Sequence, residues 1–186
     1  TRVFSILRAG RLLAAGDLGT LAGRQAIELF LAGEFSGELR GAPRILSAPE
    51  GFRFMDSARS GFVSLLNLAS VRALAALVGR DHLDPARFRM NIGIDGLPPW
   101  GEFDLVGRII AIGDARLRIL KPTERCAATN VAPGRGVADL ALPQTLLRSL
   151  GHTDCGVYAE VVTGGDVRLG DPISVRALGA QRPCKA

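Results

Sequence analysis

Apolar positions along the chain repeat with two periods, and the period changes where the elements change. Between residues 12 and 31 the spacing is helical: Ala22, Ala26, Ile27 and Phe30 share a face, Thr20 is placed to cap the start, and Gly33 to stop it. Residues 44–46 are expected to form a short strand before a Pro49-Glu50-Gly51 turn. Residues 62–66 read as a continuous apolar strand that runs through Asn67-Leu68-Ala69-Ser70 into a helix. In that helix Val71, Leu74, Leu77 and Val78 share a face, Asn67 or Ser70 can cap the start, and Gly79 supplies a left-handed end. Backbone N–H groups at such a helix start can hold an anion, although most hold only water.

Over residues 87–96 the period is two. Phe88, Met90, Ile92 and Ile94 alternate with Arg89, Asn91 and Gly93, which predicts a strand with one core face and one presenting Arg89 and Asn91 side by side. Gly93 would leave room for a ligand against that face. Residues 107–112 and 115–120 flank Gly113-Asp114 and predict a tight hairpin. After a Pro133-Gly134 turn, Leu142-Pro143 opens a helix that ends at Leu150 before Gly151. Residues 157–162 and 173–175 read as strands around a Gly164-Gly165 turn. Many short strands and few helices predict an α+β, mostly β chain: a closed or nearly closed barrel with peripheral helices.

With 186 residues the chain suffices for one domain, or one domain and a fragment. Its first 45 or so residues carry no motif, and a start at Thr1 suggests excision from something longer. An apolar fraction of 47% with 22% charged residues excludes wholesale disorder. No apolar run approaches the roughly 18–20 residues that span a bilayer, and arginines interrupt the first 15 residues where a secretory leader would need an apolar stretch. Cys126, Cys155 and Cys184 are too widely spaced for a zinc ribbon or a disulfide scaffold. Reduced thiols in the cytoplasm are expected. The net charge of +5 is carried almost wholly by arginine, Lys121 and Lys185 being the only lysines. That balance favours anionic partners. An aromatic content of 5% and the lack of any basic run argue against nucleic acid.

Few residues offer chemistry. The two histidines, His82 and His152, lie near no nucleophile-elbow pattern, and neither a P-loop nor a Gly-x-Gly-x-x-Gly turn is present. Cys126 stands out, with Arg125 beside it and Lys121 nearby. An electropositive setting favours the thiolate, which is a nucleophile or a ligand to a soft metal. A lone cysteine is more often a small buried hydrophobe.

Several segments together shift that balance. Residues 63–70 (VSLLNLAS), 87–94 (RFRMNIGI) with Asp95-Gly96, 100–107, 124–129 (ERCAAT), and Cys155-Gly156-Val157-Tyr158 followed by Gly170-Asp171-Pro172 resemble the MOSC domain family, in the same order along residues 51–175. The resemblance implies a MOSC-type β-barrel over residues 51–186, preceded by a remnant (1–50) of a β-rich MOSC-associated domain. It implies molybdenum cofactor (Mo-molybdopterin), with Cys126 as the metal-binding and catalytic cysteine. Arg89 and Asn91 would hold the pterin, Ala69 and Ser70 the phosphate at a helix start, with Arg125 and Tyr158 as further contacts. Glu124 departs from the serine common in amidoxime-reducing members. The family's full-length members use a further N-terminal segment for the cofactor, so this chain alone is expected to hold it poorly. Pyridoxal phosphate is associated with sulfurases of the family, but neither lysine here has a Schiff-base context.

The resemblance thus implies a molybdenum-dependent oxidoreductase, in full-length form, acting on small N-hydroxylated compounds. Electrons would come from a donor protein or a fused ferredoxin-type domain, because the chain has no iron–sulfur cysteine cluster. The alternative is a sulfur or cofactor carrier in which Cys126 holds a persulfide without turnover. A basic nucleic-acid module is a third, weaker alternative, separable by the steep salt dependence it would require.

Overall fold

A computed structural model describes residues 2–47 and 62–176. The chain divides into two compact units, Thr1–Phe52 and Arg53–Ala186. In the first, β1 (Val3–Arg8) and β2 (Arg11–Asp17) form an antiparallel hairpin turned by Ala9 and Gly10, both at positive φ. Helix α1 (Leu21–Glu34) follows, with the Thr20 hydroxyl accepting from the Gly23 N–H at 3.0 Å. It packs closely because Gly16 and Gly23 have no side chains: a Cβ on Gly16 would overlap the Gly23 carbonyl, and one on Gly23 the Asp17 backbone.

Two expectations change here. The helix runs through Gly33 to a cap at Phe35, whose N–H bonds the Leu31 carbonyl; one interior glycine costs only about 1 kcal/mol, less than the turn of helix it would forfeit. Residues 44–46 are not a strand, and the Ile45 N–H instead donates to the Glu28 carboxylate at 2.7 Å. The expected turn at Pro49-Glu50-Gly51 lies outside the described residues.

The second unit contains β3 (Val63–Asn67), α2 (Leu68–Leu77), β4 (Ile92–Ile94), β5 (Ile109–Ile112), β6 (Ala115–Glu124), α3 (Leu142–Leu150), β7 (Asp154–Thr163) and β8 (Ile173–Arg176). The strands form one sheet in the order β4-β3-β7-β6-β5-β8, curled into a half-barrel, so the fold is α+β and mostly β. Closure is incomplete among the described residues, since β4 and β8 are edges. β3 and β4 pair in parallel with α2 in the intervening chain, and the other pairings are antiparallel.

Every residue of β3 is buried, as a strand covered on both faces requires. Leu65 joins Ile94, Ile110, Leu117, Ile119 and Val157 in one core cluster. Its neighbour Leu66 joins Leu74, Phe88, Leu142, Leu146 and Cys155 in a second, with α2 and α3. The helices begin and end as their sequences dictate. Asn67 caps α2, Gly79 follows it at φ 65°, Pro143 opens α3, and Gly151 closes it at φ 79°.

The predicted strand over residues 87–96 is the principal correction. Pro85–Phe88 is a 3-10 turn whose N–H at Ala86 is held by the Asp84 carboxylate at 2.9 Å, Arg89 is left-handed at φ 50°, and only residues 92–94 join the sheet. The cause is Arg87, drawn inward to Asp139 at 2.8 Å and to the Asn130 carbonyl at 3.1 Å. Phe88 and Met90 therefore pack with the second cluster and Ile92 and Ile94 with the first. Arg89 and Asn91 are not alternate positions of one strand face.

Candidate functional site

β6 is irregular where it approaches Cys126. Its pairing with β7 shifts register between Ile119 and Lys121 and again between Pro122 and Glu124, which suits a proline that cannot donate to the ladder. The strand ends at Glu124, and Cys126 caps the 3-10 turn Ala127–Asn130 through its carbonyl, which accepts from the Thr129 N–H at 3.1 Å and hydroxyl at 2.9 Å. The Cys126 residue is exposed and its thiol is free.

Arg125 turns inward. Its Nη2 donates to the Phe88 carbonyl at 2.7 Å, and its Nη1 to Met90 Sδ at 3.1 Å and the Cys155 carbonyl at 3.4 Å. The guanidinium lies 5.6 Å from the Phe88 ring centroid. Burial pushes the Arg125 pKa down, and the Cys155, Tyr158 and Cys126 groups oppose that shift.

Tyr158 on β7 pairs with Ser64 of β3 on one side and Lys121 of β6 on the other. Its ring is tilted against Phe62 at 6.1 Å, with Lys121 Nζ 6.0 Å from its centroid. Asn91 is fastened to the same row, its Oδ1 accepting from the Ser64 N–H at 2.9 Å and hydroxyl at 2.8 Å. Arg89 is exposed and follows the Phe88 carbonyl that Arg125 holds. With Arg87, Pro133 and Gly134 it lines a hollow of about 230 Å³. Arg125 therefore joins the Cys126 corner to the Phe88–Arg89 peptide and to β7, and Ser64 joins Asn91 to Tyr158.

Ala69 and Ser70 belong to a different network. The Ala69 N–H donates to Asn67 Oδ1 at 3.1 Å. The fully buried Ser70 hydroxyl donates to Glu102 Oε2 at 2.7 Å and accepts from the Trp100 N–H at 2.8 Å. Asn67 Nδ2 also donates to Glu102 Oε2, at 2.9 Å. At the start of α2 the side chains of Asn67 and Ser70 are thus engaged by a carboxylate of the chain itself.

Glu102 is the buried group that sequence reasoning missed. Its one signal is a carboxylate set among Trp100, Phe103 and Leu105, where an exposed turn would need no such apolar neighbours. Glu124 is exposed, with the Thr153 hydroxyl 3.5 Å from its Oε1. His152 rests edge-on against Trp100 and Phe103 while its Nδ1 accepts from the Asp154 N–H at 3.1 Å, a turn-forming role.

Among the described residues no group of three or more His, Cys, Asp or Glu side chains could hold a metal ion. No helix among the described residues is long and apolar enough to cross a membrane.

No curated protein matches the chain. The crystal structure of YiiM from Geobacillus stearothermophilus is similar with a TM-score of 0.48 and 20% identity, over 64% of this chain and 56% of that one. The chain thus spans little more than half of YiiM's length. The family model for the MOSC domain matches residues 56–174, a span that holds Arg89, Asn91, Arg125, Cys126 and Tyr158, and the chain belongs to the MOSC domain family.

Proposed function

We propose that the chain binds molybdenum cofactor with Cys126 as the metal's protein ligand, and that it serves a reductase of small N-hydroxylated compounds. The observation that carries this reading is the exposed free thiol at Cys126 next in sequence to Arg125, whose guanidinium holds the Phe88 carbonyl before Arg89 and the Cys155 carbonyl of β7. The donor set suits the group: one soft sulfur for the metal, and Arg89, whose planar fork matches a phosphate bidentately. Two buried polar atoms at this end of β6, Thr123 Oγ1 and Arg125 Nε, have no hydrogen-bond partner among the described residues. A polar group docking there would satisfy them.

In this reading Cys126 holds the metal and Arg89 the anionic end of the pterin. Asn91 and Tyr158 border the pterin from the β3–β7 row. Arg125 keeps positive charge beside the thiolate. Ala69, bonded to Asn67, and Ser70, bonded to Glu102, have their polar groups engaged within the chain. When bound, the cofactor supplies oxygen-atom transfer, with electrons delivered by a separate donor protein or domain.

The test is molybdenum bound at equilibrium dialysis against excess purified cofactor, which reports a weakly held group as well as a tightly held one. Cys126→Ser is expected to lose the metal while the circular-dichroism melt stays intact. Arg89→Ala should lower occupancy more than Arg116→Ala, whose residue lies on β6 opposite Ala111 of β5. Equal molybdenum in wild type and Cys126→Ser overturns the assignment. Sulfane sulfur on Cys126 without molybdenum would replace it with the carrier reading.

A further inference from the structure

We propose that Glu102 is a positioning residue for Arg125, acting through the single peptide group that joins Cys155 to Gly156. Glu102 is fully buried, and its three partners, Asn67 Nδ2, the Ser70 hydroxyl and the Gly156 N–H, all donate to it. That pattern suits a carboxylate, which can only accept. The Gly156 N–H reaches Glu102 Oε1 at 3.2 Å. The carbonyl of the same peptide group, that of Cys155, accepts from Arg125 Nη1 at 3.4 Å. One peptide is gripped at both ends, by a carboxylate on its N–H and a guanidinium on its C=O.

The arrangement has physical consequences. Among the described residues neither Glu102 nor Arg125 forms a direct ion pair. A buried charge without compensation is costly. The intervening peptide dipole lies with its positive end toward Glu102 and its negative end toward Arg125, so each bond polarises and strengthens the other. Gly156 is the residue that fits: its φ is +86°, and a Cβ would meet the Leu65 carbonyl at 2.6 Å and Met90 Cε at 2.6 Å. With the peptide fixed, Arg125 has a fixed acceptor on β7 as well as the Phe88 carbonyl. Both Cys126, its neighbour in sequence, and Arg89, just beyond Phe88, are thereby set in place. The coupling itself is independent of any cofactor; its relevance to a binding site rests on the function proposed above.

The experiment uses the metal-free chain, so that failure of the cofactor assignment leaves its result readable. In nitrogen–proton correlation spectra, Glu102→Gln is expected to shift both the Gly156 amide and the Arg125 Nε–Hε signal. The Arg87 Nε–Hε signal, anchored on Asp139 instead, should stay in place. Reciprocally, Arg125→Lys should shift the Gly156 amide, although that N–H bonds Glu102 and not Arg125. This second variant carries the test if Glu102→Gln does not fold. In urea unfolding the two substitutions combined should be non-additive by about fivefold or more in the folded-to-unfolded ratio, as expected for groups in one network. An Arg125 signal that ignores Glu102→Gln, a Gly156 amide that ignores Arg125→Lys, or additive unfolding would each overturn the proposal.

Discussion

Cys126 and Cys155 lie at the same end of the β6–β7 pair, yet their thiols meet opposite environments. Cys126 is exposed, whereas Cys155 is fully buried in the second core cluster. Burial, helped by the nearby Glu102 carboxylate and opposed by Arg125, pushes the Cys155 thiol up from 9.0 to about 12. The folded state therefore keeps the Cys155 proton more tightly than the unfolded chain does. The resulting contribution to stability is intact below the unfolded value and is lost as pH rises from about 9 towards about 12. Urea unfolding across that window should show an alkaline loss of stability that is smaller in Cys155→Ala. An identical pH slope in the two proteins would refute this assignment. At neutral pH iodoacetamide should modify Cys126 and spare Cys155 while the fold holds.

The elements that were legible in the sequence are those whose signals are local. Asn67 and Gly79 mark the two ends of α2, as Pro143 and Gly151 do for α3, because caps act within a turn. The β5–β6 hairpin followed from Gly113, at φ 52°, between alternating runs. Residues 87–96 depart from their local pattern because their conformation is set from more than 40 residues away, where Asp139 and the Asn130 carbonyl draw Arg87 inward. The site behaves likewise. Cys126 and Arg125 were visible as a motif, but the use of Ser70 by Glu102 is a contact across 32 residues with no local signature. The Arg87 anchor also makes an asymmetric prediction. The Arg87 side chain is 7% exposed and that of Asp139 33%, so removing Asp139 strands the more deeply buried charge. Asp139→Asn should destabilise the chain by about 2–4 kcal/mol, and Arg87→Met by less, since a stranded Asp139 can be hydrated. Urea midpoints in the opposite order would show that the Asn130 carbonyl, and not the carboxylate, carries the anchor.

At the scale of the molecule the two units differ in how much apolar surface they bury. In the second, two clusters draw on β3, β4, β5, β6, β7, α2 and α3, and Leu65, Ile119 and Val157 are fully buried. In the first, Ile27 is the one buried large hydrophobe among the described residues, while Val3, Leu7 and Leu12 are each more than half exposed. A two-stranded sheet is marginal in water unless an apolar face is well covered, and α1 covers β2 chiefly through the close approach of glycines, which bury little apolar area. Ion pairing adds little: Arg8 reaches Glu34 from an exposed position, and such pairs contribute at most about 1 kcal/mol. Opening of β1, β2 and α1 should therefore require far less free energy than opening of the half-barrel. Native-state hydrogen exchange is expected to show amides of β1, β2 and α1 exchanging at least about a hundredfold faster than those of Leu65, Ile119 and Val157. Limited proteolysis should cut first within the N-terminal unit and leave β3 to β8 intact. Equal protection in the two units would mean that the N-terminal apolar residues are covered in solution, and the burial argument would fail at this scale.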